Sequence, residues 1–310
     1  MAAIGAVLGG AIVTAALLIW VERRLLAFWQ ERLGPNRVGP FGILQVVEDM
    51  VKLLTKDDWV PPFADKVVFV IAPAIVMIAA LLGLALIPFA PGMGVVDLPF
   101  SLLVLLGLAS LSVYSPLLAG YASASKYALF GGLRAAVQAF SYEVFMGLAA
   151  MGVVMQAGSF DLRVIAASQA HGWYLGPQLL GFVLFLIAAV AETRRAPFDL
   201  PEAEQELVAG FHLEYSGIKF GMFFVGEYIG IVLNSALIVT LYLGAWWGPA
   251  FLPPLAWFLL KTGVFIVLYL LLRASLPRPR YDQLMRFGWL VLLPLALANL
   301  IGTAVWEVLI

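Results

Sequence analysis

The feature that most constrains this chain is a series of eight apolar runs, each close to the ~20 residues that a helix needs to cross a bilayer. They fall roughly at 2–21, 67–88, 99–120, 136–157, 175–196, 218–245, 254–273 and 287–309. Of the 310 residues, 63% are hydrophobic and only 12% charged, where a soluble domain has about 45–50% and about 25%. Too few polar side chains exist to cover the surface. The chain therefore reads as an all-α integral membrane protein of about eight transmembrane helices, in one polytopic domain over 1–310. No stretch alternates in polarity as the strands of a membrane β-barrel do. The first run lacks a basic N-terminal flank and ends in Glu22-Arg23-Arg24, so it reads as a retained span, not a cleaved signal peptide.

Basic residues set the orientation. Arg23, Arg24, Arg32, Arg37, Lys52, Lys56 and Lys66 follow run 1, and Lys126 and Arg134 follow run 3. Arg194, Arg195 and Lys219 follow run 5, and Arg273, Arg278, Arg280 and Arg286 follow run 7. Sixteen of the 18 basic residues thus lie in alternate loops; Arg163 is on the opposite side and Lys261 within run 7. The expectation is that these loops are cytosolic and both termini lie outside. The long cytosolic loops are roughly 22–66 and 197–217. In the first, Phe41 to Leu54 reads as an amphipathic interfacial helix, with Ile43, Leu44, Val47, Val51 and Leu54 on one stripe. It would either lie on the headgroups or wall a cytosol-facing site.

Several chemistries are excluded. With no cysteine there is no disulfide, thiolate nucleophile or Cys-held iron–sulfur cluster. His171 and His212 are the only histidines, too few for a bis-histidine haem in the bilayer. A net charge of −1 argues against a nucleic-acid partner. No metal ligand set and no bound cofactor are expected. Lys261, near the outer end of its run, is expected to snorkel to the interface.

Three carboxylates fall within spans. Glu143 lies about 13 Å past Arg134 and Glu227 about 12 Å past Lys219, at 1.5 Å per helical residue. Glu192 lies about one turn before the inner end of run 5. A charge at mid-membrane costs roughly 2.5–3.5 kcal/mol on insertion scales. Burial favours the protonated acid, which suits a proton relay; the plain alternative is hydrogen bonding between helices. For Glu192, pairing with Arg194 or Arg195 is a further alternative. The loop at 197–216 holds Asp199, Glu202, Glu204, Glu206 and Glu214, and no Lys or Arg. Capping and the helix dipole explain Asp199 and Glu202, but not Glu204 or Glu206. These acids are either a solvated helix face or the lining of a polar chamber.

Three segments are long and distinctive: "ERLGPNRVGPFGILQ" from Glu31, "APFDLPEAEQELVAGFHLEYSG" from Ala196, and "RYDQLMRFGW" from Arg280. Together they resemble the H-subunit family of the proton-pumping NADH:quinone oxidoreductases, respiratory complex I, over essentially the whole chain. The resemblance implies a membrane subunit at the junction with the peripheral arm, in a bacterial inner membrane with both termini periplasmic. Its cytosolic loops would close over a chamber where quinone (ubiquinone or a relative) is the substrate. Partner subunits would carry FMN and the iron–sulfur clusters, and further membrane-arm subunits and lipid would flank the chain. The resemblance puts Arg23, Arg24, Arg37, Asp49, Lys52, Arg195 and Phe198 near the quinone. It makes Glu143, Glu192 and Glu227 relay candidates, coupled to the chamber through Asp199, Glu202, Glu204 and Glu206. For Arg23, Arg24 and Arg37, positive-inside anchoring is the plain alternative, and His212 reads as an ordinary loop residue. One departure matters: Ala109-Ser110-Leu111-Ser112-Val113-Tyr114 holds no acid where the family often has a glutamate. Run 3 is therefore expected to contribute hydroxyls. The rival functions are a related membrane subunit of a proton-pumping hydrogenase and a stand-alone ion transporter. The dense acidic loop and the absence of repeats weigh against them.

Overall fold

The computed structural model describes residues 2–201 and 210–309, and Glu202, Glu204 and Glu206 lie outside the described residues. The helices are α1 (Ala2–Trp29), α2 (Gln45–Thr55), α3 (Lys66–Ala85), α4 (Ser101–Ala122) and α5 (Lys126–Ala157). They continue with α6 (Leu162–Ser168), α7 (Leu179–Glu192), α8 (Gly217–Tyr242), α9 (Pro254–Ser275) and α10 (Tyr281–Leu309). No strand occurs among the described residues. The long helices run alternately up and down. The start of α3 bonds the end of α4 (Asp65 N–H to the Ala122 carbonyl, 3.2 Å), and the start of α4 meets the segment after α5 (Leu102 N–H to the Phe160 carbonyl, 3.1 Å). We refer to the end with the Lys- and Arg-rich loops as the basic end, and to the other as the far end.

Six helices, α3, α4, α5, α8, α9 and α10, are long and apolar enough to cross a membrane. Helix α1 is long as well, but its last third carries Glu22, Arg23 and Arg24. The fifth run departs from expectation. Its helix, α7, has 14 residues, about 21 Å, against a ~30 Å hydrocarbon core. It stops at Glu192 because Arg194 turns into the left-handed region (φ 53°) and Pro197 has no N–H to continue the ladder. Helix α5 is instead longer than its run, starting at Lys126. Small residues permit this: a Cβ on Gly132 would lie 2.5 Å from the Pro116 carbonyl oxygen of α4. Glu143 consequently sits near the midpoint of its helix.

The largest core joins α4, α5, α7, α8 and α10 around Tyr142, Phe145, Phe185 and Tyr242, all fully buried. A second packs α1 against α8 and α9 through Ala15, Ile19, Ile229 and Tyr269. The third lies at the basic end, where Phe69 and Tyr215 stack with centroids 3.9 Å apart. Arg163, the isolated far-end cation, is neutralised by Asp97.

Candidate functional site

The turn between α1 and α2 is built by Arg24. Its guanidinium donates to the carbonyls of Pro35 (3.2 Å) and Phe41 (3.0 Å) and lies over the Trp20 and Phe41 rings. Gly42 is required beneath it: its φ is 75°, and a Cβ would sit 2.2 Å from the Pro35 carbonyl oxygen. The two Gly-Pro pairs thus form a rigid turn that delivers α2 to the side of the bundle. Arg23 pairs with Asp49 at 2.7 Å, tying α1 to α2. Arg37 and Lys52 are exposed on the same side. The Val47, Val51 and Leu54 stripe of α2 faces outward, while Val46 is buried. Its Met50 and Leu53 wall a wholly apolar cavity of ≈ 180 Å³, with Ile12, Met77, Met222 and Val225 opposite. The helix is therefore both an amphipathic surface element and a wall.

At the inner reach of α1 lies a charge cluster, buried except for Arg273. Glu22 accepts from Arg273 and from the Tyr228 hydroxyl (2.8 Å). Arg195 reaches Glu22 at 3.8 Å and Glu227 at 3.9 Å, and its guanidinium lies 4.4 Å from the Tyr228 ring centroid. Stacking suits the flat, weakly hydrated guanidinium, and opposite charges within 4 Å offset its burial. Neither Glu22 nor Arg273 stood out in the sequence. Both sit where an apolar run meets a basic flank, and only the packing of α1 against α8 and α9 buries Glu22 and brings Arg273 onto it from the surface.

Glu227 is shared with a second site. A cavity of ≈ 60 Å³ between α3, α4, α8 and the end of α7 is lined by Glu192, Glu227, Asn234, Arg194 and Ser112. At about 10–15 Å³ for each water centre it has room for a few waters among polar partners. Glu192 accepts from Asn234 Nδ2 at 3.1 Å. Of the two alternatives for Glu192, no arginine makes an ion pair with it among the described residues: Arg195 turns to Glu22 and Glu227, while Arg194 lies over the Phe211 ring and stays on the cavity wall within electrostatic reach of Glu192. Glu143 is apart from this cavity. It accepts from Ser110 and opens on a lateral groove of ≈ 230 Å³ with Phe140 and Gly147, yet it stays within electrostatic reach of Glu192. Helix α4 does supply hydroxyls in place of an acid, Ser110 to Glu143 and Ser112 to the cavity.

The segment after α7 closes the site. Gln138, fully buried on α5, donates to the carbonyls of Ala191 (2.9 Å) and Phe198 (2.8 Å), which pins the turn. The Phe198 ring lies 6.0 Å from that of Tyr142. Asp199 pairs with Arg278 at 2.7 Å. Burial pushes the Asp199 carboxyl up to about 6, with the Arg278 charge opposing. His212 lies in a short turn against the Phe211 and Phe220 rings, in keeping with a loop residue. Among the described residues no group of three His, Asp or Glu side chains converges to hold a metal.

Residues 2–304 match the model of the family described as NADH dehydrogenase. The NADH-quinone oxidoreductase H subunit of Methylococcus capsulatus (Bath) is 68% identical over 292 residues, which is 94% of this chain and 92% of that protein.

Proposed function

Since the chain belongs to the NADH dehydrogenase family, as a membrane subunit of the H type from NADH-quinone oxidoreductase, we propose that it walls the quinone chamber and couples quinone reduction to proton translocation. The observation that carries this reading is the double placement of Glu227. One face of its carboxylate meets Arg195 in the charge cluster; the other lines the cavity that holds Glu192.

The apolar cavity between α1, α2, α3 and α8 has the character of a tail channel, and the charge cluster of Glu22, Arg195 and Arg273 suits a quinone ring. Met50, Met77 and Met222 add adaptable walls. Quinone reduction takes up two electrons and two protons. The electrons come from iron–sulfur clusters and FMN in peripheral-arm subunits, since this chain has no cysteine to hold a cluster. The protons leave a charge deficit in the chamber. Arg195 and the acidic loop, with Asp199, Glu202, Glu204 and Glu206, feel that deficit first. Any change in the hold of Arg195 on Glu227 changes the affinity of Glu227 for a proton. Glu192 follows through the small cavity, and Glu143 follows by charge repulsion. The groove beside Glu143 opens sideways, which suits hand-over to the next membrane-arm subunit. In this reading the basic end is cytosolic and both termini are periplasmic in a bacterial inner membrane.

The test is replacement of Glu227 in the intact complex. Glu227→Asp keeps a group that binds and releases a proton and should retain partial quinone reductase and pumping activity. Glu227→Gln keeps only hydrogen bonding and should lose both, with normal assembly on native gels. An assembled Glu227→Gln complex that pumps like the wild type removes Glu227 from the relay and the reading with it.

A further inference from the structure

Lys261 lies two turns into α9 from the far end, and it does not snorkel. Its ammonium turns inward and donates to three backbone carbonyls, of Leu243 (2.6 Å), Ala245 (3.2 Å) and Trp247 (2.6 Å), while the Trp173 ring centroid lies 4.5 Å away. The residue is 8% exposed. Three N–H donors meet three acceptors, all of them neutral. Among the described residues no carboxylate lies within ion-pair distance of it. As a cap on the C-terminal end of α8, an ammonium suits the helix dipole, but a neutral donor would cap at far less desolvation cost. It is the retained charge that calls for a role.

Its place supplies one. Outward from the Glu192 cavity, α8 is buried and mainly apolar through Leu237, Ile238, Val239 and Leu241, with the Thr240 and Tyr242 hydroxyls satisfied by the carbonyls of Ala236 and Ala149. This layer is not seamless. The hydroxyls of Ser235, Thr262 and Tyr269 and the indole N–H of Trp246 are buried with no protein partner. Ser235 follows Asn234, the donor to Glu192; Thr262 adjoins Lys261; Trp246 lies between two of the carbonyl residues that hold the ammonium. Orphaned polar atoms of this kind are where water lodges, so the α8–α9 seam is the place where protons would short-circuit from the acid cavity to the far end. A fixed, unneutralised cation in a low-dielectric wall repels a migrating proton.

We propose that Lys261 is an electrostatic plug: its caged ammonium bars protons from passing along the α8–α9 seam between the carboxylate cavity and the far end. This rests on the relay reading, since only a relay needs one-sided access, but its test does not depend on turnover. The intact complex is reconstituted in liposomes without NADH or quinone, and the decay of an imposed pH gradient is followed with a trapped pH dye. Lys261→Met should raise the passive proton flux several-fold, and Lys261→Arg, which keeps the charge, should hold the gradient. An assembled Lys261→Met complex as tight as the wild type overturns the proposal and leaves Lys261 a plain helix cap. Where Lys261→Met does not assemble, Lys261→Gln, which keeps an N–H donor for the carbonyls but removes the charge, takes its place; a tight Lys261→Gln complex then overturns the proposal equally. Pumping lost in Glu227→Gln is a separate result, which neither outcome moves.

Discussion

The basic end and the far end of this bundle solve the burial of polar groups in opposite ways. At the basic end charges face charges: Glu22, Arg195 and Glu227 are buried, the exposed Arg273 reaches in to Glu22, and Glu227 also lines a cavity. At the far end the buried polar groups face neutral partners. Gln169 accepts from the N–H of Gly244 (2.8 Å) and Tyr174 (3.3 Å) and donates to the carbonyls of Ile165 and Thr240. Gln178 and Asn299 bond each other at 2.9 Å, and the Lys261 ammonium meets three backbone carbonyls and the Trp173 ring. Paired opposite charges in a roomy site can be rearranged by a proton or a substrate. A closed net of neutral amide bonds cannot respond in that way; it fixes geometry. The difference separates rearrangeable charge pairs at one end from a rigid hydrogen-bonded frame at the other.

The comparison breaks outright if the two ends share one side of the membrane. Cysteines replacing Lys126 and Met93, both exposed, should label with an impermeant reagent from opposite faces, Lys126→Cys from the cytosol. Labelling of both from one face would collapse it. A smaller effect tests the apolar cavity. Gly221 faces Leu53 across it, with a Cβ placed there 3.2 Å from that side chain, so Gly221→Leu should fill the space between α2 and α8. The KM for quinone should rise about tenfold, the equivalent of ~1.4 kcal/mol, with oxidation by a hydrophilic acceptor unchanged. An unaltered KM would mean that quinone does not use this cavity.

The loop carboxylate sharpens the comparison through pH. Asp199 is raised by burial from 3.8 to about 6, so the folded chain binds its proton more tightly than the unfolded chain. Its contribution to stability is therefore greatest below the unfolded value and declines as pH rises through the window from 3.8 to about 6. Function runs the other way: the ion pair with Arg278 forms as Asp199 ionises. Quinone reductase activity should fall as pH drops through about 6, and Asp199→Asn should remove that limb while lowering the rate above it. A retained limb in the variant would assign it to another group. The smallest effect belongs to the far end. Asp97→Asn removes the partner of Arg163 in an exposed pair of a kind worth ~0–1 kcal/mol; activity should match the wild type, and a clear loss would show that this surface is not mere frame.

Much of this was legible in the chain itself. Runs of apolar residues dictate membrane helices because unpaired backbone in lipid is too costly for any other open structure, and α3, α4, α5, α8, α9 and α10 follow from that alone. Glu143, Glu192 and Glu227 declared themselves by being carboxylates within such runs. The Gly-Pro turn and α2 were readable because Pro removes a donor and Gly permits positive φ. What tertiary structure decided was the direction in which side chains at the margins of runs point. Glu22 and Arg273 look like flanks, and only the crossing of α1 with α8 and α9 brings the exposed Arg273 onto the buried Glu22. Lys261 looks free to snorkel, but the carbonyls of 243–247 outcompete water for it. Arg195 neighbours Glu192 in sequence, yet the stop at the end of α7 swings it to Glu22 and Glu227. Spacing along a helix sets which residues share a face; which faces meet is set by packing between segments distant in sequence, and the pairing of charges is decided there.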